Sequence, residues 1–122
     1  MARTEVCFYK DEDGSVPLIR WLDALPKKVQ LKCTERISRL VEMGHELRRP
    51  EADTLRDGIY ELRASYQGVH YRLLYFFAGK AVVVLSHRIT KEDHVPNREI
   101  DRAIKHKEQV QRNFAPYTFR PG

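Results

Sequence analysis

The sequence predicts an α+β fold, in which helices pack on a largely antiparallel sheet in the order β-α-α-β-β-β-α. Two observations carry this prediction. Three strand-like stretches follow one another in the middle of the chain, and the breaks between them contain Gln67-Gly68 and Ala78-Gly79, which are typical of hairpin turns. Stretches with apolar residues at helical spacing precede and follow these strands, so helices are expected to cover the sheet.

The first half of the chain predicts one strand and two helices. The strand covers Glu5–Lys10 and ends at an acidic turn that contains a glycine. A short helix carries Pro17 in its first turn and ends before Pro26, and a longer helix covers Lys27–Met43 and stops at Gly44. The polar face of the longer helix is expected to be solvated; it carries Lys28, Lys32, Glu35, Arg36 and Arg39.

The second half of the chain predicts the sheet and a final helix. An irregular linker over His45–Asp57 leads into three strands, at Ile59–Ser65, Val69–Phe77 and Ala81–His87. A helix from about Pro96 to Phe114 is expected to face the sheet with a stripe of Ile100, Ala103, Ile104, Lys107, Gln111 and Phe114. A polar tail follows, and the elements together are expected to form a single domain over residues 1–122.

The excess positive charge of the chain lies in one segment. The formal net charge is +5, and residues 58–91 hold five basic residues and one acid. The other 88 residues hold 17 basic and 16 acidic groups, so they are nearly balanced. A concentrated positive charge of this kind indicates that an anionic partner binds at this segment.

Composition also predicts where the protein works. No apolar run approaches the roughly 20 residues that a membrane-spanning helix needs, and no apolar segment of the signal-peptide kind follows the N-terminus. Two cysteines are too few for a disulfide framework, so Cys7 and Cys33 are expected to be buried free thiols. We therefore expect a soluble, cytoplasmic protein.

Several common chemistries lack their motifs in this sequence. There is no phosphate-binding glycine loop, no His or Cys cluster with zinc-ligand spacing and no nucleophile elbow. The basic segment holds only one acid, Glu61, so it lacks the paired carboxylates of a two-metal nuclease. If the chain cuts nucleic acid, we expect it to do so without metal or cofactor. That expectation favours RNA, because its 2′-OH can attack the adjacent phosphate.

An opposed pair of arginines is the strongest local anomaly. If Gln67-Gly68 is a two-residue turn, Arg63 lies directly opposite Arg72, and Glu61 and His70 share their face of the sheet. Like charges in this position cost up to about 1 kcal/mol. Such a pair is favoured where the two guanidinium groups hold an anion, and truncating both is expected to leave the fold at least as stable. The alternative is a solvent-facing pair that Glu61 partly neutralises.

The end of the third central strand supplies further candidates. Because side chains alternate between the two faces of a strand, His87 can face the same side of the sheet as Arg72. Arg88 and Lys91 follow it. Alone, a histidine at a strand end is more often structural than catalytic, and a loop lysine is usually solvated. The convergence of these residues with the arginine pair makes them candidates for chemistry on a phosphate.

Four stretches form a specific combination: Leu55–Arg63 (LRDGIYELR), Tyr71–Tyr75 (YRLLY), Val84–Lys91 (VLSHRITK) and Val95–Ile100 (VPNREI). In this order they resemble the HigB-like, phage-Gp49-like branch of the RelE/ParE toxin superfamily. The resemblance is close from Leu55 to Lys107. It implies a RelE-like fold and the toxin of a type II toxin–antitoxin pair. Such toxins cut mRNA, usually in the ribosomal A site, and are silenced by a HigA-like helix-turn-helix antitoxin.

The resemblance also assigns candidate residues. By position, the basic catalytic surface of the family falls on Arg63, Arg72, His87 and Lys91. Glu61, His70 and Arg88 are expected to contact the substrate, although Glu61 could instead orient an arginine. The expected reaction is attack of the RNA 2′-OH on the scissile phosphate, with no metal and no small-molecule cofactor. Two alternatives remain: a ParE-like inhibitor of DNA gyrase, or a non-catalytic module that binds RNA or the ribosome.

Overall fold

A six-stranded sheet with helices on both faces is seen in the computed structural model, which describes residues 4–90 and 94–121. In chain order the elements are β1 (Glu5–Tyr9), α1 (Pro17–Asp23), α2 (Lys27–Met43), β2 (Ala52–Thr54), β3 (Tyr60–Tyr66), β4 (Val69–Phe77), β5 (Val82–Thr90), α3 (Asn97–Arg112) and β6 (Thr118–Phe119). Short 3-10 helices lie at Gly44–Glu46 and Ala115–Tyr117. The predicted α+β class is confirmed.

The strands lie in the order β2-β3-β4-β5-β1-β6. β1 runs parallel to β5, and the other neighbouring strands are antiparallel, so the sheet is largely antiparallel as predicted. Two strands were not predicted. β2 lies in the stretch expected to be an irregular linker, and β6 lies in the expected polar tail. Both are too short to show an alternating pattern, and they become strands only because β3 and β1 offer them free edges.

Both faces of the sheet are covered. α1 and α2 pack on one face, over a core that includes Leu22, Cys33 and Leu40, and α3 packs on the other face. Because β4 and β5 are buried from both sides, they carry continuous apolar runs instead of alternating ones. Cys7 and Cys33 are buried free thiols, as predicted, and burial raises the pKa of Cys33 to about 11. Among the described helices, none has the length and apolar composition that a membrane crossing requires.

The buried stripe of α3 differs from the predicted one. Its buried residues are Ile100, Ala103, His106 and Val110, whereas Ile104 is only partly buried. The prediction was wrong in placing Lys107 and Gln111 on the stripe, since the buried positions are the adjacent His106 and Val110. His106 is buried because the ring of Tyr9 stacks on it at a centroid distance of 3.7 Å, and because a hydrogen bond satisfies one ring nitrogen.

Candidate functional site

The β3–β4 hairpin brings two arginines face to face. Gln67 and Gly68 form its two-residue turn, with φ values of +50° and +81°, and a type I′ turn requires positive φ at both positions. This turn fixes the register that pairs Arg63 with Arg72 and Ser65 with His70. The predicted opposition of the two arginines is therefore confirmed.

A buried carboxylate joins the two guanidinium groups. Glu61 Oε1 accepts from Nε of Arg63 at 3.1 Å and from Nε of Arg72 at 3.0 Å, and the Glu61 side chain is only 7% exposed. Asp53 of β2 contacts Arg63 Nη2 at 3.4 Å. Glu61 thus partly neutralises the pair and orients both arginines. Truncating both would leave a buried carboxylate without these partners, so the structure predicts a loss of stability where the sequence alone predicted none.

Arg36 of α2 is a further cation at the hairpin, and the sequence did not single it out. Its Nε donates to the backbone oxygen of Arg63 at 3.0 Å, and its Nη1 donates to Glu51 Oε2 at 3.0 Å. Arg39 also donates to Glu51, and this hydrogen bond holds the pKa of Glu51 below its usual value. The polar face of α2 is therefore not merely solvated, because part of it anchors the edge of β3.

A cleft of about 250 Å³ opens beside this cluster. Three arginines and a histidine are among its lining residues, which are Arg36, Pro50, Arg63, Ala64, Ser65, His70, Tyr71 and Arg72. Arginine presents its donors in a planar fork that matches the oxygens of a phosphate group. We call this cavity the arginine cleft. Its chemistry is that of an anion-binding site.

A β-bulge in β5 turns two neighbouring side chains toward α3. Leu74 pairs with His87 and Tyr75 pairs with Leu85, which leaves Ser86 without a partner in the ladder. Ser86 Oγ lies 2.9 Å from Nδ1 of His87 and 2.7 Å from Nδ1 of His106. The other nitrogen of His87, Nε2, lies 2.9 Å from Oε1 of Glu99. The result is a chain of hydrogen bonds from α3 through β5 and back to α3.

The donors and acceptors in this chain can be assigned by counting protons. If Nε2–H of His87 donates to the Glu99 carboxylate, Nδ1 of the neutral ring accepts from the Ser86 hydroxyl. That hydroxyl oxygen then accepts from Nδ1–H of His106. Burial, with a smaller effect from the charge of Arg102, lowers the pKa of His87 to about 4 against the opposing effect of Glu99. Burial also lowers the pKa of His106 to about 3, so both rings are neutral at pH 7.

A second cleft, of about 310 Å³, opens where His87 meets α1 and α3. We call it the Trp21 cleft; Pro17 and Leu18 complete a lining that also holds Trp21, His87, Arg88, Glu99 and Arg102. Arg88 pairs with Leu73 and so points to the α1 side, where its guanidinium carbon lies 5.3 Å from the centroid of the Trp21 ring. Arg72 faces the other side of the sheet. The structure therefore separates Arg88 from the arginine pair.

The structure brings together some of the predicted site residues and not others. Glu61, Arg63, His70 and Arg72 form one cluster. His87 shares a sheet face with Arg72, and it is the diagonal neighbour of Arg72 across β4 and β5, a relation that typically separates two residues by about 7–8 Å. Lys91 lies outside the described residues.

Sequence reasoning missed a second group of residues, Arg36, Ser86, Glu99 and His106. Glu99 and His106 lie seven positions apart in α3, which places them about two turns apart on one helix face. That spacing is a signal only if polar residues are allowed on a buried stripe. In the described part of the chain, no three His, Cys, Asp or Glu side chains are grouped to hold a metal ion.

The fold and the clustered cations define a small basic α+β protein with a RelE-like architecture. The sequence matches the phage-derived, Gp49-like protein family (DUF891) over residues 20–108, which is well over half of the chain. The chain therefore belongs to this family, which is a family of RelE/HigB-like toxins. The matched residues include those that form the arginine pair and the histidine chain. Among curated proteins, none matches this chain significantly.

Proposed function

We propose that this protein is a toxin of a type II toxin–antitoxin system and a metal-independent endoribonuclease that cuts mRNA on the ribosome. The observation that carries the proposal is the Arg63–Arg72 pair, which a buried Glu61 holds at the edge of a cleft lined by cations. A pair of fixed guanidinium groups suits a phosphate that gains negative charge during a reaction. Family membership supports the toxin class.

The arginines act on the scissile phosphate. The 2′-oxygen of the preceding ribose forms a bond to phosphorus, and the bond from phosphorus to the 5′-oxygen of the next nucleotide breaks. The products are a 2′,3′-cyclic phosphate and a free 5′-OH. Arg63 and Arg72 bind the non-bridging oxygens and stabilise the charge that grows on them. Glu61 is a positioning residue, because its one oxygen holds both guanidinium groups in place.

Proton transfer needs one acceptor and one donor. The acceptor of the 2′-OH proton is the Glu99 carboxylate, which lines the Trp21 cleft and is held there by Nε2–H of the neutral His87 ring. The donor to the leaving 5′-oxygen is Lys91. Because both ring nitrogens of His87 are already hydrogen-bonded, the proton stays on Glu99. Ser86 and His106 position the ring of His87 from behind.

The partners follow from the same surface. mRNA on the ribosome is the anionic substrate that the positive segment would meet, and a HigA-like helix-turn-helix antitoxin would hold the toxin inactive. An antitoxin that covers either cleft with acidic side chains would compete directly with RNA.

The test uses a variant that keeps the core neutral. Glu61→Gln, Arg63→Gln and Arg72→Gln together remove the cations without leaving a buried carboxylate. We expect cleavage of mRNA in a reconstituted translation reaction to fall at least about 100-fold. Controls are Glu61→Gln alone and a double variant, Lys80→Gln with Arg112→Gln, which removes two exposed charges elsewhere. The readouts are the positions and chemical ends of the RNA products.

Three results would contradict the proposal. One is a folded triple variant that cuts as fast as the wild-type protein. The second is cleavage that stops in excess chelator and returns with magnesium. The third is growth arrest without new RNA ends, which would favour the gyrase-inhibitor alternative. A Glu99→Gln variant tests the proton acceptor separately, since it should lower kcat and shift the pH profile of cleavage while RNA binding is retained.

A further inference from the structure

The Trp21 cleft holds an aromatic ring, two arginines and the His87–Glu99 pair within one cavity. We infer that it is a nucleobase-binding subsite, which takes the nucleotide whose 2′-OH attacks the scissile phosphate. This inference rests on the proposed ribonuclease function and adds where the RNA lies on the protein. It assigns a role to Trp21, Arg88 and Arg102, none of which the arginine pair explains.

Trp21 offers a fixed stacking surface. It is half-buried on α1, and the ring of Tyr71 lies 6.1 Å away at an angle of 49°, which supports it from the sheet. The guanidinium of Arg88 already lies 5.3 Å from the ring centroid. Single-stranded RNA is commonly bound by bases that stack on aromatic rings and on arginine planes. An unstacked base can therefore occupy the position of the guanidinium or lie beside it.

Arg102 supplies a cation for the sugar–phosphate backbone. It is exposed at the cleft, and the part of the chain that the structure describes gives it no hydrogen bond or ion pair. Arg88 is also exposed, and within residues 4–90 and 94–121 its one hydrogen bond to a side chain is a long one, 3.5 Å, to Thr90 Oγ1. Both cations can turn toward a phosphate without breaking a close ion pair. The single carboxylate in the cleft, Glu99, is held by His87.

The position of the cleft fits the geometry of the reaction. His87 lines it and is the diagonal neighbour of Arg72, a relation that typically separates two residues by about 7–8 Å. A nucleotide with its base on Trp21 can therefore place its ribose at the His87–Glu99 pair and its 3′-phosphate toward Arg72. The cleft of about 310 Å³ is at the lower end of the range for small-ligand sites, which suits one nucleotide. A peptide is less suited, because four of the seven lining residues are ionisable.

The experiment uses the fact that Trp21 is the only tryptophan in the chain. Its fluorescence is followed in the full-length protein during titration with AMP, GMP, CMP and UMP, with ribose 5-phosphate as the probe that lacks a base. We expect saturable quenching by at least one nucleotide and none by ribose 5-phosphate. The cleavage-deficient Glu61→Gln, Arg63→Gln, Arg72→Gln variant should show the same quenching.

Substitutions then locate the contacts, with binding measured by calorimetry because Trp21 variants lose the fluorescence signal. Trp21→Ala should weaken nucleotide binding about 10- to 100-fold, whereas Trp21→Phe should retain most of it. Arg102→Gln should weaken the binding of nucleotides more than the binding of the corresponding nucleosides. Arg112→Gln, at an exposed position outside the lining of the cleft, is the matched control and should bind normally.

Two results would overturn the inference. If ribose 5-phosphate quenches the fluorescence as strongly as the nucleotides do, the cleft is a site for anions only. If no nucleotide changes the fluorescence but the antitoxin shifts the Trp21 emission, the cleft is a protein-binding site. Failure of the subsite is distinguishable from failure of the proposed function. Cleavage that depends on Arg63 and Arg72 without nucleotide quenching would refute only the subsite. Nucleotide quenching in a protein that cuts no RNA would refute only the ribonuclease.

Discussion

The β3–β4 hairpin and the β5–α3 junction solve opposite problems with polar groups. At the hairpin, two like charges face each other, and a buried carboxylate between them reduces their repulsion. At the junction, two histidines and a serine are buried without gaining charge, because each can donate to or accept from the next. The first region pairs opposite charges and is partly exposed, whereas in the second, burial keeps both histidines neutral at pH 7.

One small sheet can therefore present two kinds of chemistry. Fixed cations are held ready for an anion by a partner carboxylate, and a neutral imidazole is kept from charging by burial. The two regions lie on adjacent strand pairs of one sheet. The hairpin is therefore expected to depend on its paired charges, and the junction on its neutral histidines.

The largest expected effect is loss of stability in acid. The pKa values of His87 and His106 fall from 6.5 to about 4 and about 3 on folding, so below pH 6.5 the unfolded chain binds protons that the folded chain does not. Stability is fully present above pH 6.5 and is lost as the pH falls. Between pH 7 and pH 5 we expect a loss of about 2 kcal/mol per histidine, or about 4 kcal/mol together.

Urea unfolding measured across this pH range checks the prediction. His106→Gln should flatten the pH dependence by about half, whereas His94→Gln, at an exposed loop position, should leave it unchanged. A wild-type curve that is flat from pH 7 to pH 5 would show that these histidines are not held neutral.

The second effect concerns the arginine pair. Arg63→Ala with Arg72→Ala leaves Glu61 buried without a partner, so we expect a loss of roughly 3 kcal/mol in the free energy of unfolding. Adding Glu61→Gln to the same double variant should recover most of the lost free energy of unfolding. If the double variant is as stable as the wild type, the two arginines are a strained pair that Glu61 does not need.

The smallest effect separates Arg36 from Arg39. Both bind Glu51, but only Arg36 donates to the backbone of Arg63 and lines the arginine cleft. Arg36→Gln should lower kcat/KM for RNA cleavage about tenfold, which corresponds to one charge-assisted contact of about 1.4 kcal/mol. Arg39→Gln is the matched control and should change kcat/KM less than twofold. Equal losses would assign both residues to the anchoring of β2.

The sequence was sufficient for most of the fold. The strongly periodic helix α2 and the long strand β4 have the predicted bounds, because many residues contribute to each pattern. The turn at Gln67-Gly68 fixed the hairpin register by local stereochemistry alone. β2 and β6 could not be predicted, since strands of three and two residues owe their conformation to distant partners.

The candidate site was less predictable. Sequence reasoning found Arg63 and Arg72 because strand pairing is a local property of a hairpin. It missed Glu99 and His106 because their contacts with β5 depend on the bulge at Ser86, and no local sequence pattern predicts that bulge. Arg36 was taken for a surface residue because its partners lie 15 and 27 positions away in the chain.

The position of β1 has a consequence for how the chain acquires its structure. β1 lies between β5 and β6, so the first strand to be synthesised pairs with residues 77 and 111 positions later. Pairings over such distances slow folding, because the entropy cost of closing a long loop comes before any stabilising contact forms. On a translating ribosome, β1 therefore waits without its neighbours until almost the whole chain has been made. As a result, β1 joins the sheet late, and a nascent chain that stops before β5 lacks the His87 and Arg88 that line the Trp21 cleft.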